Sequence, residues 1–201
     1  MINWYRTALT KRPVLTQCLS TSFLFAAGDV IAQQAVEQRH GDGPRTHNPY
    51  RTLRMAIYGG GIFGPLVVNW YKFLQTAVRI PASPRLEIVS RVALDQTVFT
   101  PVHLTLFFSS MATMEGLMGD DGREVGTGER VRKKLGDNWL QGLKANWTVW
   151  PGVQLVNFGF VPLEHRVLVV NLVSLGWNSY LSYLNQQGKK GGKKDGEKEV
   201  L

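Results

Sequence analysis

The chain has 201 residues, a length that suits one compact domain and is too short for two well-buried ones. Its 23 Lys and Arg residues outnumber 15 Asp and Glu residues, and the resulting net charge of +8 predicts anionic surroundings such as acidic lipid, acidic solutes or nucleic acid. The single cysteine, Cys18, excludes an intrachain disulfide and a cysteine-based zinc site.

The N-terminal segment is basic, because Arg6, Lys11 and Arg12 precede the first acidic residue, Asp29. The apolar run that begins at residue 14 has no small-residue cleavage site, so we expect no secretory signal. An acid-free basic start is compatible with mitochondrial import, and a membrane-anchored cytosolic end has the same composition. Between these two interpretations, the segment favours a mitochondrial location.

The apolar residues that follow fall into four blocks of membrane-crossing length, since one span needs about 20 mostly apolar residues. Pro151 and Pro162 are expected to break the last block into a helix near 146–161 and another near 167–184. Trp and Tyr residues at the block edges favour the headgroup layer of a bilayer. The four blocks are residues 14–36, 53–78, 92–118 and 145–184.

The sequence therefore predicts an all-α fold, a polytopic membrane helix bundle with about four transmembrane spans plus short interfacial helices. Residues 1–185 form the bundle, with a long charged loop at 119–137, and residues 186–201 form a disordered Lys-rich tail. A soluble bundle of buried helices is the alternative, because polar residues lie inside the apolar blocks.

Small residues in the second block predict close helix packing. Gly59, Gly61 and Gly64 match the dinucleotide motif G-x-G-x-x-G, but a proline follows directly and the preceding block reads as a helix, which argues against a nucleotide site. Ala56, Gly60 and Gly64 recur every four residues and would lie on one helix face. Such a face allows a neighbouring backbone to approach closely.

Polar side chains inside the predicted spans are the candidate functional residues. An ionised group at that depth is costly unless it is paired or hydrated. These side chains either line a water-filled path or fix the helix register through buried hydrogen bonds. The candidate pore-lining or buried polar residues are Asp29, Gln33, Arg54, Asp95, Gln96, Gln154, Asn157, Arg166 and Asn171.

The charges within this set suggest ion pairs. Arg91 and Asp95 are four residues apart, so they can neutralise each other on one helix face. Arg54 and Arg166 are candidate counter-ions for Asp29 and Asp95.

Catalytic patterns are absent from the sequence. The four histidines show no metal-ligand spacing, and no G-x-S-x-G or P-loop pattern occurs. We therefore expect no enzymatic activity, no cofactor and no metal. The basic loop residues come without a nucleic-acid-binding motif, so direct nucleic-acid binding is not expected. The expected partners are the lipid bilayer, a small solute of unknown identity and, in a homo-oligomer, further copies of the chain.

A distinctive set of residues extends over residues 4–184. It comprises Pro13, Thr16, Gly28, Asp29, Gln33, Arg51, Arg54, Gly59, Gly64, Pro65, Trp70, Tyr71 and Leu74, then Asp95, Gln96 and Pro101, then Trp147, Trp150, Pro151, Gln154, Asn157, Phe158, Val161, Pro162, Arg166, Asn171, Trp177, Asn178, Tyr180, Leu181 and Ser182. With these residues the chain resembles the Mpv/PMP family of mitochondrial and peroxisomal membrane proteins, most strongly its fungal, stress-inducible branch in the mitochondrial inner membrane.

This resemblance implies a multi-pass protein of the mitochondrial inner membrane with four spans. It also implies a channel-like pore for a small solute, and a role in stress response and mitochondrial DNA maintenance. A non-conducting membrane scaffold and a peroxisomal membrane protein of the same family are the alternatives. Asn48 and Val68 stand where the family often has Asp and His, so the roles of those two groups are not expected here.

Overall fold

The computed structural model describes residues 7–8, 10–37, 47–118, 126–161, 169, 172–181 and 183. Within these ranges the chain is almost entirely helical and contains no strand, which confirms the all-α prediction. Three of the helices contain wider π-helical turns. The elements are α1 (Pro13–Ile31), π1 (Ala32–Glu37), α2 (Pro49–Ile57), π2 (Tyr58–Phe63), α3 (Gly64–Ala77), α4 (Pro84–Leu94), π3 (Asp95–Phe99), α5 (Thr100–Leu117), α6 (Thr127–Gly159) and α7 (172–181).

Prolines and short polar side chains set the starts of these helices. A proline occupies the first turn of α1, α2 and α4, where its missing N–H group is not needed. The side chain of Asn48 accepts a hydrogen bond from the Arg51 N–H group, and the side chain of Ser83 accepts one from the Leu86 N–H group. These caps satisfy backbone donors that a helix start leaves free.

Two of the π-helical turns end two residues before a proline inside a continuous helix. Elements α2, π2 and α3 form one such helix, in which Pro65 follows π2, and α4, π3 and α5 form another, in which Pro101 follows π3. A proline ring collides with the carbonyl group four residues earlier. The wider π turn relieves this collision, so each helix continues through its proline.

Helix α6 differs from the sequence-based expectation in two respects. Residues Thr127–Asp137 are helical, so the predicted loop at 119–137 is wrong for this part. The helix predicted near 146–161 therefore starts much earlier than expected, at Thr127, and it runs through Pro151 to Gly159 as that prediction requires. With 33 residues, α6 is about 50 Å long and exceeds the ~30 Å hydrocarbon core of a bilayer.

The helices form an up-and-down bundle, because the contacts between consecutive helices show that they run antiparallel: moving forward along one helix corresponds to moving backward along the next. For α1 against α2 and π2, the contacts are Ser22 with Ala56 and Thr21 with Gly59. For π2 and α3 against π3 and α5, they are Tyr58 with His103 and Trp70 with Asp95. For α5 against α6, they are Thr100 with Asn146, Thr105 with Trp139 and Glu115 with Lys134.

The bundle exposes many large apolar side chains, and its interior combines an aromatic-rich apolar core with buried polar side chains. In α1, Leu19 and Phe23 are 64% and 72% exposed, whereas Asp29 is completely buried. In α5, Val102 and Leu106 are exposed, and His103 lies inside. A soluble protein shows the opposite preference, so this distribution suits lipid contact.

By length and composition, one helix among the described residues is a candidate membrane span, and it covers Pro13–Gln34. The other long helices carry more polar side chains, and many of these face the interior of the bundle. Those polar side chains lower the average hydropathy of the helices, although large apolar side chains are exposed on their outward faces.

Small residues bring α1 against the second helix. A Cβ atom added to Gly64 would lie 2.9 Å from the backbone Cα of Cys18, and one added to Gly60 would lie 3.0 Å from Cβ of Ser22. The Ser22 hydroxyl group donates a hydrogen bond to the carbonyl oxygen of Ala56. Ala56, Gly60 and Gly64, which recur every four residues, thus form the surface against which α1 packs.

We expect the substitution Gly64→Ala to destabilise the fold by about 1–3 kcal/mol, because the new methyl group meets rigid backbone and forces α1 away. Gly61→Ala is the matched control, since a Cβ atom at Gly61 meets nothing within 4 Å. Denaturant titration in detergent micelles measures both. Equal stability of the two variants would contradict the close contact.

Candidate functional site

A network of polar side chains surrounds Asp29, where the end of α1 meets the start of α2. Arg51 Nε lies 2.7 Å from Asp29 Oδ1 in a buried ion pair. The Gln33 amide and the Thr52 hydroxyl group donate to Asp29 Oδ2 over 2.7 and 2.6 Å. Gln33 also accepts from the Asn48 N–H group at 2.7 Å. We call these five residues the Asp29 network.

The Asp29 network is neutralised and bonded internally, so it fixes the register of α1 against α2. The sequence indicated Arg54, and not Arg51, as a candidate counter-ion for Asp29. Arg54 is itself almost completely buried. The signal for Arg51 was the Asn-Pro pair before it, because that cap places Arg51 in the first turn of α2.

The second group of polar side chains lines a cavity of about 80 Å³ in the centre of the bundle. Helices α1, α3, α6 and α7 contribute to its walls together with π3 and α5. The polar lining includes Asp95, Gln96, Asn146, Gln154 and Asn178. Space of this size holds several water molecules when polar groups line it.

Asp95 is the charged group of the cavity and is 5% exposed. The Trp70 indole N–H group donates to Asp95 Oδ1 at 3.0 Å, and the Gln96 amide donates to Oδ2 at 2.9 Å. The predicted pairing with Arg91 is wrong, because Arg91 forms an ion pair with Glu87 at 2.6 Å. Within the part of the chain that the structure describes, no basic side chain pairs with Asp95.

Several buried polar atoms of the cavity wall have no hydrogen-bond partner among the described residues. They are the side-chain oxygens Oε1 of Gln96 and Gln154, the indole nitrogen of Trp150 and the amide nitrogen of Asn178. A buried polar atom without a partner is costly, so native proteins supply one from protein, water or ligand. These atoms therefore mark the cavity as a place for a polar occupant.

Aromatic rings close the cavity on the side of the Asp29 network. The rings of His103, Phe63 and Phe99 form a three-membered cluster, in which the His103 centroid lies 4.7 Å from Phe63 and 6.0 Å from Phe99, and the two phenylalanine centroids are 6.3 Å apart. Behind it, the Tyr58 hydroxyl group lies 3.0 Å from His103 Nδ1. This barrier separates the cavity from the Asp29 network.

The structure thus divides the residues that the sequence singled out. Asp95, Gln96 and Gln154 line the cavity, whereas Asp29 and Gln33 belong to the separate Asp29 network. Asn157 is buried three residues beyond Gln154 on α6, and its position is outside the cavity lining. Arg166 and Asn171 lie outside the described residues.

Sequence reasoning missed His103, Asn146 and Asn178 as cavity residues. The signal for both was helical spacing, because Asn146 lies eight residues before Gln154 and His103 lies seven residues after Gln96. Asn178 was noted only as part of a motif, and its place depends on Gly28. A Cβ atom at Gly28 would lie 2.6 Å from Cβ of Asn178, so this glycine lets α7 reach the cavity wall.

A second buried ion pair joins α5 and α6 at the end of the bundle that holds the Asp29 network. Lys134 Nζ lies 2.6 Å from both carboxylate oxygens of Glu115, and both side chains are almost fully buried. A search of the described ranges finds no group of three His, Cys, Asp or Glu side chains placed to hold a metal ion.

Helices that expose large apolar side chains and bury ionised and amide side chains beside an apolar core define this chain as a helical membrane protein. The sequence profile of the Mpv17 / PMP22 family matches residues 124–182. The chain is 46% identical to Protein SYM1 of Gibberella zeae over 92% of this chain and 98% of the relative. It is 47% identical to Protein sym-1 of Neurospora crassa, over 93% and 100%.

More distant fungi carry similar proteins. Protein SYM1 of Saccharomyces cerevisiae is 36% identical over 93% of this chain and 91% of the relative. No solved structure matches the chain. The identity and coverage of these relatives show that the chain belongs to the Mpv17 / PMP22 family.

We expect Asp29→Asn to lower the free energy of unfolding by about 3 kcal/mol, because it removes the negative charge of a buried ion pair. Glu87→Gln is the matched control, since it changes a partly exposed pair and should cost less than about 1 kcal/mol. Chemical denaturation in detergent measures both. If Asp29→Asn cost no more than its control, the Asp29 network would not hold α1 to α2.

Proposed function

We propose that this chain is a multi-pass protein of the mitochondrial inner membrane whose central cavity forms part of a channel-like path for a small solute. One observation carries the proposal: Asp95 and residues with unpartnered polar atoms line a cavity inside a bundle that exposes many large apolar side chains. A membrane protein keeps such groups at depth where they contact water or a solute. The path serves passage of the solute and involves no catalysis.

The helix arrangement supports four spans. The first is α1 with π1, the second α2 to α3, the third α4 to α5, and the fourth α6. Helix α7 lies against α1 through Gly28 and adds a short helix to the wall. The exposed apolar side chains on each of these helices support lipid contact for all of them.

The four-span arrangement predicts that residues 82 and 126 lie on opposite sides of the membrane. Both positions are exposed and lie between helices. We expect Ala82→Cys and Gly126→Cys, each in a Cys18→Ser background, to react with a membrane-impermeant maleimide from opposite sides of sealed mitoplasts. The Cys18→Ser protein alone is the control. Labelling of both cysteines from the same side would contradict four spans.

The chemistry of the path follows from its lining. Amide oxygens and the Asp95 carboxylate replace part of the water shell of a solute, and the negative charge attracts cationic groups. The aromatic barrier around His103 blocks the path towards the Asp29 network. The described conformation is therefore closed at that end, and conduction requires these rings to move.

We expect Asp95→Asn to lower the cation-to-anion permeability ratio in planar bilayers by about tenfold, which corresponds to ~1.4 kcal/mol of lost attraction. Asp137→Asn is the matched control, because it removes the same charge from an exposed position on α6. Reversal potentials in a salt gradient, recorded on folded and inserted proteins, measure both.

Two results would count against this function. An equal effect of Asp95→Asn and Asp137→Asn would assign the selectivity to surface charge. Absence of current from an intact wild-type protein would favour the alternative, a non-conducting scaffold, in which the two buried ion pairs hold helices together for partner binding.

The cellular role that we propose is support of stress response and mitochondrial DNA maintenance through the supply of a metabolite or nucleotide precursor. The acid-free basic N-terminus supports the mitochondrial address. Localisation of a tagged chain to peroxisomes would replace this address with the peroxisomal membrane, without changing the solute path.

A further inference from the structure

The unpartnered polar atoms of the central cavity fall into two chemical sets. Gln96 and Gln154 each present a side-chain oxygen, which can only accept a hydrogen bond. Trp150 and Asn178 each present a nitrogen, which donates. Asp95 adds a negative charge to the accepting set, because each of its oxygens keeps acceptor capacity after one bond.

We propose that the central cavity is a binding site for a small zwitterion of amino-acid size, with its ammonium group at Asp95, Gln96 and Gln154 and its carboxylate at Trp150 and Asn178. The inference deepens the proposed function, since it names the class of solute that the path accepts, and it rests on that path.

The accepting set matches an ammonium group in number and in charge. An ammonium group has three N–H donors, and the cavity offers the Asp95 carboxylate and two amide oxygens. Hydrogen bonds between an ammonium group and a carboxylate are roughly twice as strong as neutral ones. The occupant also supplies the positive charge that no described side chain gives to Asp95.

The donating set matches a carboxylate. The Trp150 indole is a donor only, and the free amide nitrogen of Asn178 is a second donor. Both groups are held in place: the Trp150 ring meets Trp177 edge-on at 6.1 Å, and Gly28 lies against the Asn178 backbone. Fixed donors lose little freedom when a carboxylate binds.

The volume of the cavity selects a short zwitterion. About 80 Å³ at about 10–15 Å³ for each water-sized position gives room for roughly five to eight non-hydrogen atoms. Glycine and alanine fall in this range. An inorganic cation would leave the donors of Trp150 and Asn178 without partners. A simple anion would be repelled by the carboxylate of Asp95. A zwitterion, which carries both charges, therefore fits the cavity better than either ion alone.

Calorimetric titration of the full-length protein in detergent tests the proposal. The probes are glycine, methylamine, acetate and potassium chloride. We expect glycine to bind at least about tenfold more tightly than methylamine or acetate, because only glycine satisfies both sets. Glycine binding no tighter than methylamine or potassium binding would overturn the zwitterion and leave a cation site.

Matched variants assign the two ends. Trp150→Phe removes the indole N–H group and should weaken glycine binding about tenfold without changing methylamine binding. Trp139→Phe is its control, because that indole donates to Thr105 away from the cavity. Gln154→Leu should weaken both probes, with the exposed Gln34→Leu as its control. Equal losses from a variant and its control would overturn the assignment.

Bilayer recordings on the same preparations separate this inference from the proposed function. Current that responds to Asp95→Asn, in protein that does not bind glycine, would overturn the zwitterion site and leave the solute path standing. Glycine binding that Trp150→Phe weakens, in protein without current, would support the site and overturn the channel.

Discussion

The close approach of α1 to π2 and α3 is the contact on which the rest of the structure depends. Gly60 and Gly64 leave room for the backbone at Cys18 and Ser22, so the two helices meet without intervening side chains. This contact places the first half of α1 along the cavity and its last turns beside the start of α2. Both the Asp29 network and the cavity therefore require it. In a membrane, burial of apolar surface contributes little to helix association, because the lipid is itself apolar. Close packing at small residues and hydrogen bonds between helices stabilise the association instead.

The Asp29 network and the cavity each contain a buried carboxylate, but the two carboxylates are stabilised differently. Asp29 is matched by Arg51 and by amide and hydroxyl donors, so its site is complete without another molecule. Asp95 has hydrogen-bond donors but no described cation, and the atoms around it are unsatisfied. A complete network fixes structure, and an incomplete one requires an occupant. The same residue type thus has a structural role in α1 and a candidate functional role in π3.

The lengths of the apolar blocks were enough to predict that helices run through them, because each apolar block needed a partner or lipid. They did not predict the polar starts of α2, α4 and α6 at Pro49, Pro84 and Thr127. The sequence also identified Asp95, Gln96 and Gln154 as polar residues at depth. It could not distinguish the Asp29 network from the cavity, since that distinction depends on Arg51, which only the capped start of α2 brings into range. Charge density suggested a loop before residue 137, yet those charges lie on an extension of α6. Local composition does not record which face of a helix is buried.

Pro101 explains why two adjacent residues, Asp95 and Gln96, both reach the cavity. Neighbouring side chains on an α-helix point in different directions, but both of these line the cavity and hydrogen-bond to each other. Before Pro101 the chain adopts π geometry, with the Thr100 N–H group bonded to the Asp95 carbonyl group. The next bond in this series would need an N–H group at Pro101, which proline lacks. The Trp147 indole donates to the free Gln96 carbonyl oxygen instead, at 3.0 Å. One proline thus widens the turn, aims two polar side chains inward and ties π3 to α6 at the level of the cavity.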